Sequence, residues 1–134
     1  TWFDIDGTHI QSKQVIEEEI SLLKEKIRAL GNIQRDVFVI SPFKSVADRC
    51  KHEFHHINPN IQCGTIHTFQ GKEADIVFLV LGSDPAKPGS RQWASQKPNL
   101  LNVALTRAKR CFYVIGSRKS WKGYNFFSVL AERL

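Results

Sequence analysis

Two rhythms of apolar and polar residues alternate along the chain. Val15, Ile16, Glu19, Ile20, Leu23, Ile27 and Leu30 recur three and four positions apart. That spacing lays one stripe along an α-helix, with Ser12 as a candidate N-cap and Gly31 as its stop. Elsewhere the apolar residues come in short unbroken runs: DVFVIS at 36–41, DIVFLVLG at 75–82 and CFYVIG at 111–116. Runs this short, rich in β-branched residues and bounded by turn formers, predict strands buried on both faces. QCGTIH at 62–67 predicts a further short strand, and helices are expected at about 45–55, at 99–108 and at 125–134.

Strands alternating with helices predict an α/β domain with a mostly parallel sheet flanked by helices. At 134 residues the whole chain, 1–134, suffices for one such domain. In sheets of this kind ligand-contacting residues gather at the carboxyl ends of strands. The polar segment 83–98 carries three Pro and one Gly. Its length suits a functional segment better than a plain connector.

Composition narrows the picture. A net charge of +6 and a pI near 9.4 suit a polyanionic partner such as nucleic acid. The three Cys, at 50, 63 and 111, are odd in number and widely spaced. They predict no disulfide framework and an intracellular, cytoplasmic setting. No apolar run approaches about 18 residues, so no membrane span is expected. Nor does the N-terminus read as a signal peptide. The chain contains no Met, even at position 1, which predicts a piece of a longer protein.

Two stretches carry candidate chemistry. In GTIHTFQGKEADIVFLVLG (64–82), a strand end gives way to a tight polar turn and then to a buried strand. Gly71 lets backbone N–H groups approach an anion, and Glu73 can accept from a ribose hydroxyl. Thr65 and His67 are donors of the kind that hold phosphates and, equally, of the kind that merely satisfy a strand end. In NVALTRAKR (102–110), Thr106, Arg107, Lys109 and Arg110 concentrate donors just before a strand. A guanidinium held there is suited to stabilising charge on a transferring phosphoryl group. Cys50, His52, His55, His56, Cys63 and His67 match no compact zinc spacing, and no metal site is expected.

Both stretches resemble the C-terminal motifs of superfamily 1 helicases, in the branch related to the nonsense-mediated-decay helicase. TIHTFQGKEADIVFLV is similar to motif V, LNVALTRAKRCFYVIGS to motif VI and, more loosely, VFVISPFKS to motif IV. The resemblance covers essentially the whole chain and implies a RecA-like fold of the P-loop NTPase type, as the second of two such domains. It implies ATP and Mg²⁺ between the domains, with the phosphate loop and acidic metal site in the first, so that this chain alone should be inactive. It implies Arg107 as an arginine finger, Gly71, Glu73 and Gln70 as nucleotide contacts, and Thr65 and His67 against single-stranded DNA or RNA. Where relatives carry a motif IV Arg toward the nucleotide, this chain offers Lys44 or Arg49. A Lys lacks the bidentate fork.

A second resemblance competes. FDIDGT, at 3–8, is similar to the nucleophile loop of haloacid dehalogenase-like phosphatases. That loop needs an apolar strand before its first Asp and a distal acid pair. Only three residues precede Asp4, and Asp84 stands alone after its strand. The helicase resemblance makes Asp4 and Asp6 turn acids. A RecA-like binding module without hydrolysis is the remaining alternative, against which Gln70, Glu73 and Arg107 stand together.

Overall fold

The computed structural model describes residues 2–5, 10–12, 15–30, 36–54, 60–69, 71–82 and 104–116, with the backbone alone at 10–12, 15, 66 and 67. The elements, in chain order, are β1 (Trp2–Asp4), β2 (Ile10–Ser12), β3 (Val15–Ile16), α1 (Glu17–Ala29), β4 (Val37–Ile40), α2 (Lys44–Phe54), β5 (Ile61–Gly64), a 3₁₀ turn (Ile66–Phe69), β6 (Ala74–Val80) and β7 (Ala108–Gly116). Five strands form one sheet in the order β1-β7-β6-β4-β5, and every neighbouring pair is parallel. This is the expected α/β architecture of a RecA-like domain.

The order explains where the helices lie. From β1 to β4 to β5 the chain moves one way across the sheet, then returns through β6 to β7. Right-handed crossovers therefore put α1 and α2 on one face and the 3₁₀ turn between β5 and β6 on the other. The contacts agree. Lys26 of α1 lies over the Phe3 ring at 4.4 Å, and Phe3, Tyr113 and Phe78 stack in series at 5.4 and 5.1 Å. On the opposite face Phe69 of the 3₁₀ turn stacks on Phe38 at 4.3 Å. With both faces covered, β4 is buried at all four positions, which is why its sequence is an unbroken apolar run.

Two boundaries differ from expectation. The first helix begins at Glu17 rather than after Ser12, because Ile10–Ser12 and Val15–Ile16 pair as antiparallel strands, β2 with β3. Val15 and Ile16 are β-branched and serve a strand as well as a helical stripe. The cap position falls on Ile16, whose backbone is extended and whose side chain caps nothing. Glu17, Glu18 and Glu19 fill the first turn instead, and the charges of Glu17 and Glu18 complement the helix dipole. β7 starts at Ala108, three residues earlier than the apolar run. Of the helix expected at 99–108, only 104–106 are described as helical. Gly31, the loop 83–98 and the helix expected at 125–134 lie outside the described residues.

Candidate functional site

The two chemistry-bearing stretches meet at the amino edge of the sheet. Ala74 pairs with Ala108, and the Ala74 N–H donates to the Arg107 carbonyl at 2.9 Å. The tail of one stretch, Gly71 to Glu73, is thereby fixed beside the end of the other, Thr106 and Arg107. Gly71 has φ +76°, and a Cβ there would meet nothing within 4 Å. The glycine is required by the left-handed turn rather than by crowding, and its surface is open. Glu73 is exposed.

Arg107 follows the short helix in a tight turn, its N–H donating to the Ala104 carbonyl at 3.2 Å. Its guanidinium is under-used. Nη2 meets the Thr106 hydroxyl at 3.3 Å, and Nε is buried with no partner among the described residues. A buried N–H without an acceptor is costly, and this one keeps its donor capacity for an acceptor. Arg110, by contrast, is held by Asp75 of β6 at 3.6 Å.

The other predicted residues gather at the opposite, carboxyl edge. The Ser41 N–H donates to the Gly64 carbonyl at 3.1 Å, which brings the exits of β4 and β5 together. Thr65 lies just beyond Gly64, and its carbonyl accepts from the Thr68 N–H at 3.1 Å, closing the 3₁₀ turn. Lys44 opens α2 on the same edge and is exposed. The seven residues of β6 separate the two edges by about 20 Å at 3.3 Å per residue. Lys44, expected at the nucleotide, therefore stands with Thr65 and not with Gly71, Glu73 and Arg107. Arg49, the other motif IV substitute, is engaged elsewhere. It donates to Glu53 at 2.7 Å and to Glu17 at 2.9 Å, and with Lys24 it ties α2 to α1. The Arg49 and Lys24 donors hold the Glu53 carboxyl down to about 2. The His67 side chain and all of Gln70 lie outside the described residues.

Of the cysteines and histidines, Cys50 and Cys63 are buried thiols. Burial pushes Cys63 up to about 12 and Cys50 well above its ordinary value. Neither is available as a thiolate ligand. No group of three or more potential ligands is found among the described residues. One residue escaped sequence reasoning. Glu19 reads as one more position in an amphipathic stripe, yet it is fully buried and accepts from the Gly82 N–H at 2.8 Å. The only signal was a carboxylate standing inside the apolar stripe.

Comparison with known proteins settles the family. The sequence matches the AAA domain family over residues 2–119. The chain belongs to that family. Its relatives place it among superfamily 1 helicases, in the branch inferred from its motifs. It is 28% identical to the DNA polymerase alpha-associated DNA helicase A of Saccharomyces cerevisiae, over 87% of this chain and 19% of the relative. It is 29% identical to Helicase SEN1 of the same yeast, over 84% of this chain and 5% of the relative. It is 26% identical to the DNA-binding protein SMUBP-2 of Mus musculus, over 85% and 12%. The chain thus spans at most a fifth of these relatives. The family match takes in Asp4, at the end of the sheet's edge strand β1, and the phosphatase reading lapses with it. No helix among the described residues is long and apolar enough to cross a membrane.

Proposed function

We propose that residues 1–134 are the second, C-terminal RecA-like motor domain of an ATP-dependent helicase, part of a longer protein that moves along single-stranded DNA or RNA. The observation that carries this reading is the placement of Gly71–Glu73 beside Arg107, whose Nε is buried and unpartnered among the described residues. An anionic group fits there. An open left-handed glycine turn lets an anion come close to the backbone, and a guanidinium has donor capacity to spare. ATP, with its Mg²⁺ held mainly by the first RecA-like domain, supplies the phosphoanhydride whose hydrolysis powers movement.

Each residue of the amino edge then has a task. Gly71 admits the nucleotide closely, Glu73 accepts from its ribose, and Arg107 neutralises charge building on the transferring phosphoryl group. Gln70 lies next to Gly71 in sequence and belongs to the same turn by resemblance. At the carboxyl edge Thr65, His67 and Lys44 face the strand's phosphates. This moves Lys44 from the nucleotide to the nucleic acid. β6 and β7 run between the two edges, so a shift at the nucleotide is transmitted to the strand by a rigid sheet.

The test is steady-state ATP hydrolysis by the full-length protein, with and without single-stranded DNA or RNA, across a salt titration. Hydrolysis stimulated by the strand, with an affinity that falls as salt rises, is expected. A protein that binds the strand without hydrolysing ATP under any condition contradicts the motor reading. The isolated chain should hydrolyse no ATP, since the GxxxxGK[ST] loop is absent from its sequence.

A further inference from the structure

Glu19 has no part in the chemistry above, yet it is the charged residue most completely removed from water among those described. Its Oε1 accepts from the Gly82 N–H at 2.8 Å, and its Oε2 is buried without a partner among the described residues. Gly82 is where β6 leaves the sheet. The preceding Leu81 N–H still pairs with the Ile115 carbonyl at 3.0 Å, and at Gly82 the chain turns with φ +62°. Beyond this point β7 offers Gly116, whose carbonyl already serves the Ile5 N–H and the Trp2 indole, each at 3.1 Å. A side chain from α1 therefore provides the acceptor that the sheet does not.

Taking the motor reading above as its basis, we infer that Glu19 is a positioning residue: its neutral, buried carboxyl latches the first turn of α1 to the exit of β6 at Gly82, and ionisation releases that latch at the carboxyl edge where the strand-facing residues stand. A neutral carboxyl suits the geometry better than a charged one: one oxygen accepts from Gly82, and an unmet O–H on the other costs less than a full charge in the core. An ionised one would leave a full charge in the core with a single donor. The titratable and charged neighbours favour the neutral form. Glu18 on the same helix repels a charge, and Cys50, facing from α2, is itself a neutral thiol. The Gly82 N–H opposes them. Burial prevails and pushes Glu19 up to about 8.

Two measurements on the full-length protein test this. The first is an infrared titration of the protonated-carboxyl band. A band present at pH 7 should vanish by about pH 9, and Glu19→Gln should lack it from the start. The second is single-strand affinity at pH 6.5 and at pH 9. The wild type should weaken several-fold more than Glu19→Gln, which keeps an acceptor for Gly82 and cannot ionise. Glu19→Ala should be weak at both pH values. The same alkaline loss in Glu19→Gln as in the wild type, or the absence of a protonated carboxyl at pH 7, overturns the latch. A protein that never binds a strand overturns the motor reading instead, while the infrared titration still decides the latch.

Discussion

Arg49 is spent on packing: Glu17 and Glu53 satisfy it, and the Glu53 hydrogen bond holds its proton more firmly than usual. Replacing Arg49 with Met should leave both carboxylates short of a donor and cost about 1–3 kcal/mol in urea unfolding, with ATP turnover per folded molecule preserved. The pH dependence follows from Glu53. Its carboxyl is depressed to about 2, so its stabilising effect is complete above its ordinary value near 4.5 and is lost as pH falls from there toward 2. Arg49→Met should flatten that acid limb. Glu19 has the opposite sign. Its carboxyl is raised to about 8, so its contribution is complete below about 4.5 and declines as pH climbs toward 8. Glu19→Gln should remove that decline from the melting temperature. Gly71 is a backbone case. Ala there meets no atom but must adopt φ +76°, so Gly71→Ala should cost about 1–2 kcal/mol of stability through strain alone.

At the scale of elements, the buried strands were the most legible part of the sequence. Val37–Ile40 and residues 77–80 have water on neither face, and nothing but an unbroken apolar run suits them. The pairing of Ile10–Ser12 with Val15–Ile16 was not legible, since Val15 and Ile16 also fit a helical stripe and the choice rests on strand pairing. The early start of β7 was hidden for a related reason. Lys109 and Arg110 are exposed strand positions at the sheet's amino edge and carry no apolar signature. Gly64 illustrates a constraint that only the structure exposes. A Cβ there would lie 2.6 Å from the Thr68 Oγ1 and 2.7 Å from its Cβ. Gly64→Ala must therefore push the 3₁₀ turn away from β5. It should lower stability by about 1–3 kcal/mol in urea unfolding and weaken strand binding.

At the scale of the molecule, the predicted site residues among those described lie at two opposite edges of the sheet. Motif order in a sequence gives no edge of a sheet, so Lys44, Thr65, Gly71 and Arg107 read as parts of one constellation. Parallel pairing separates them: residues just after a strand lie at the carboxyl edge, and residues just before one lie at the amino edge. Lys44 and Thr65 come after β4 and β5, whereas Glu73 and Arg107 precede β6 and β7. The separation suits a motor, which must hold nucleotide and track apart yet mechanically joined.

Arg107→Ala in the full-length protein is the most direct measurement, with ATP affinity and strand-stimulated turnover followed together. Turnover should fall by about 10³ to 10⁵ while ATP still binds, and Arg107→Lys should not restore it, for want of the planar fork. Turnover that survives Arg107→Ala within a few-fold would contradict the assignment of this residue as the finger, and with it the reading of the amino edge as half of an ATP site.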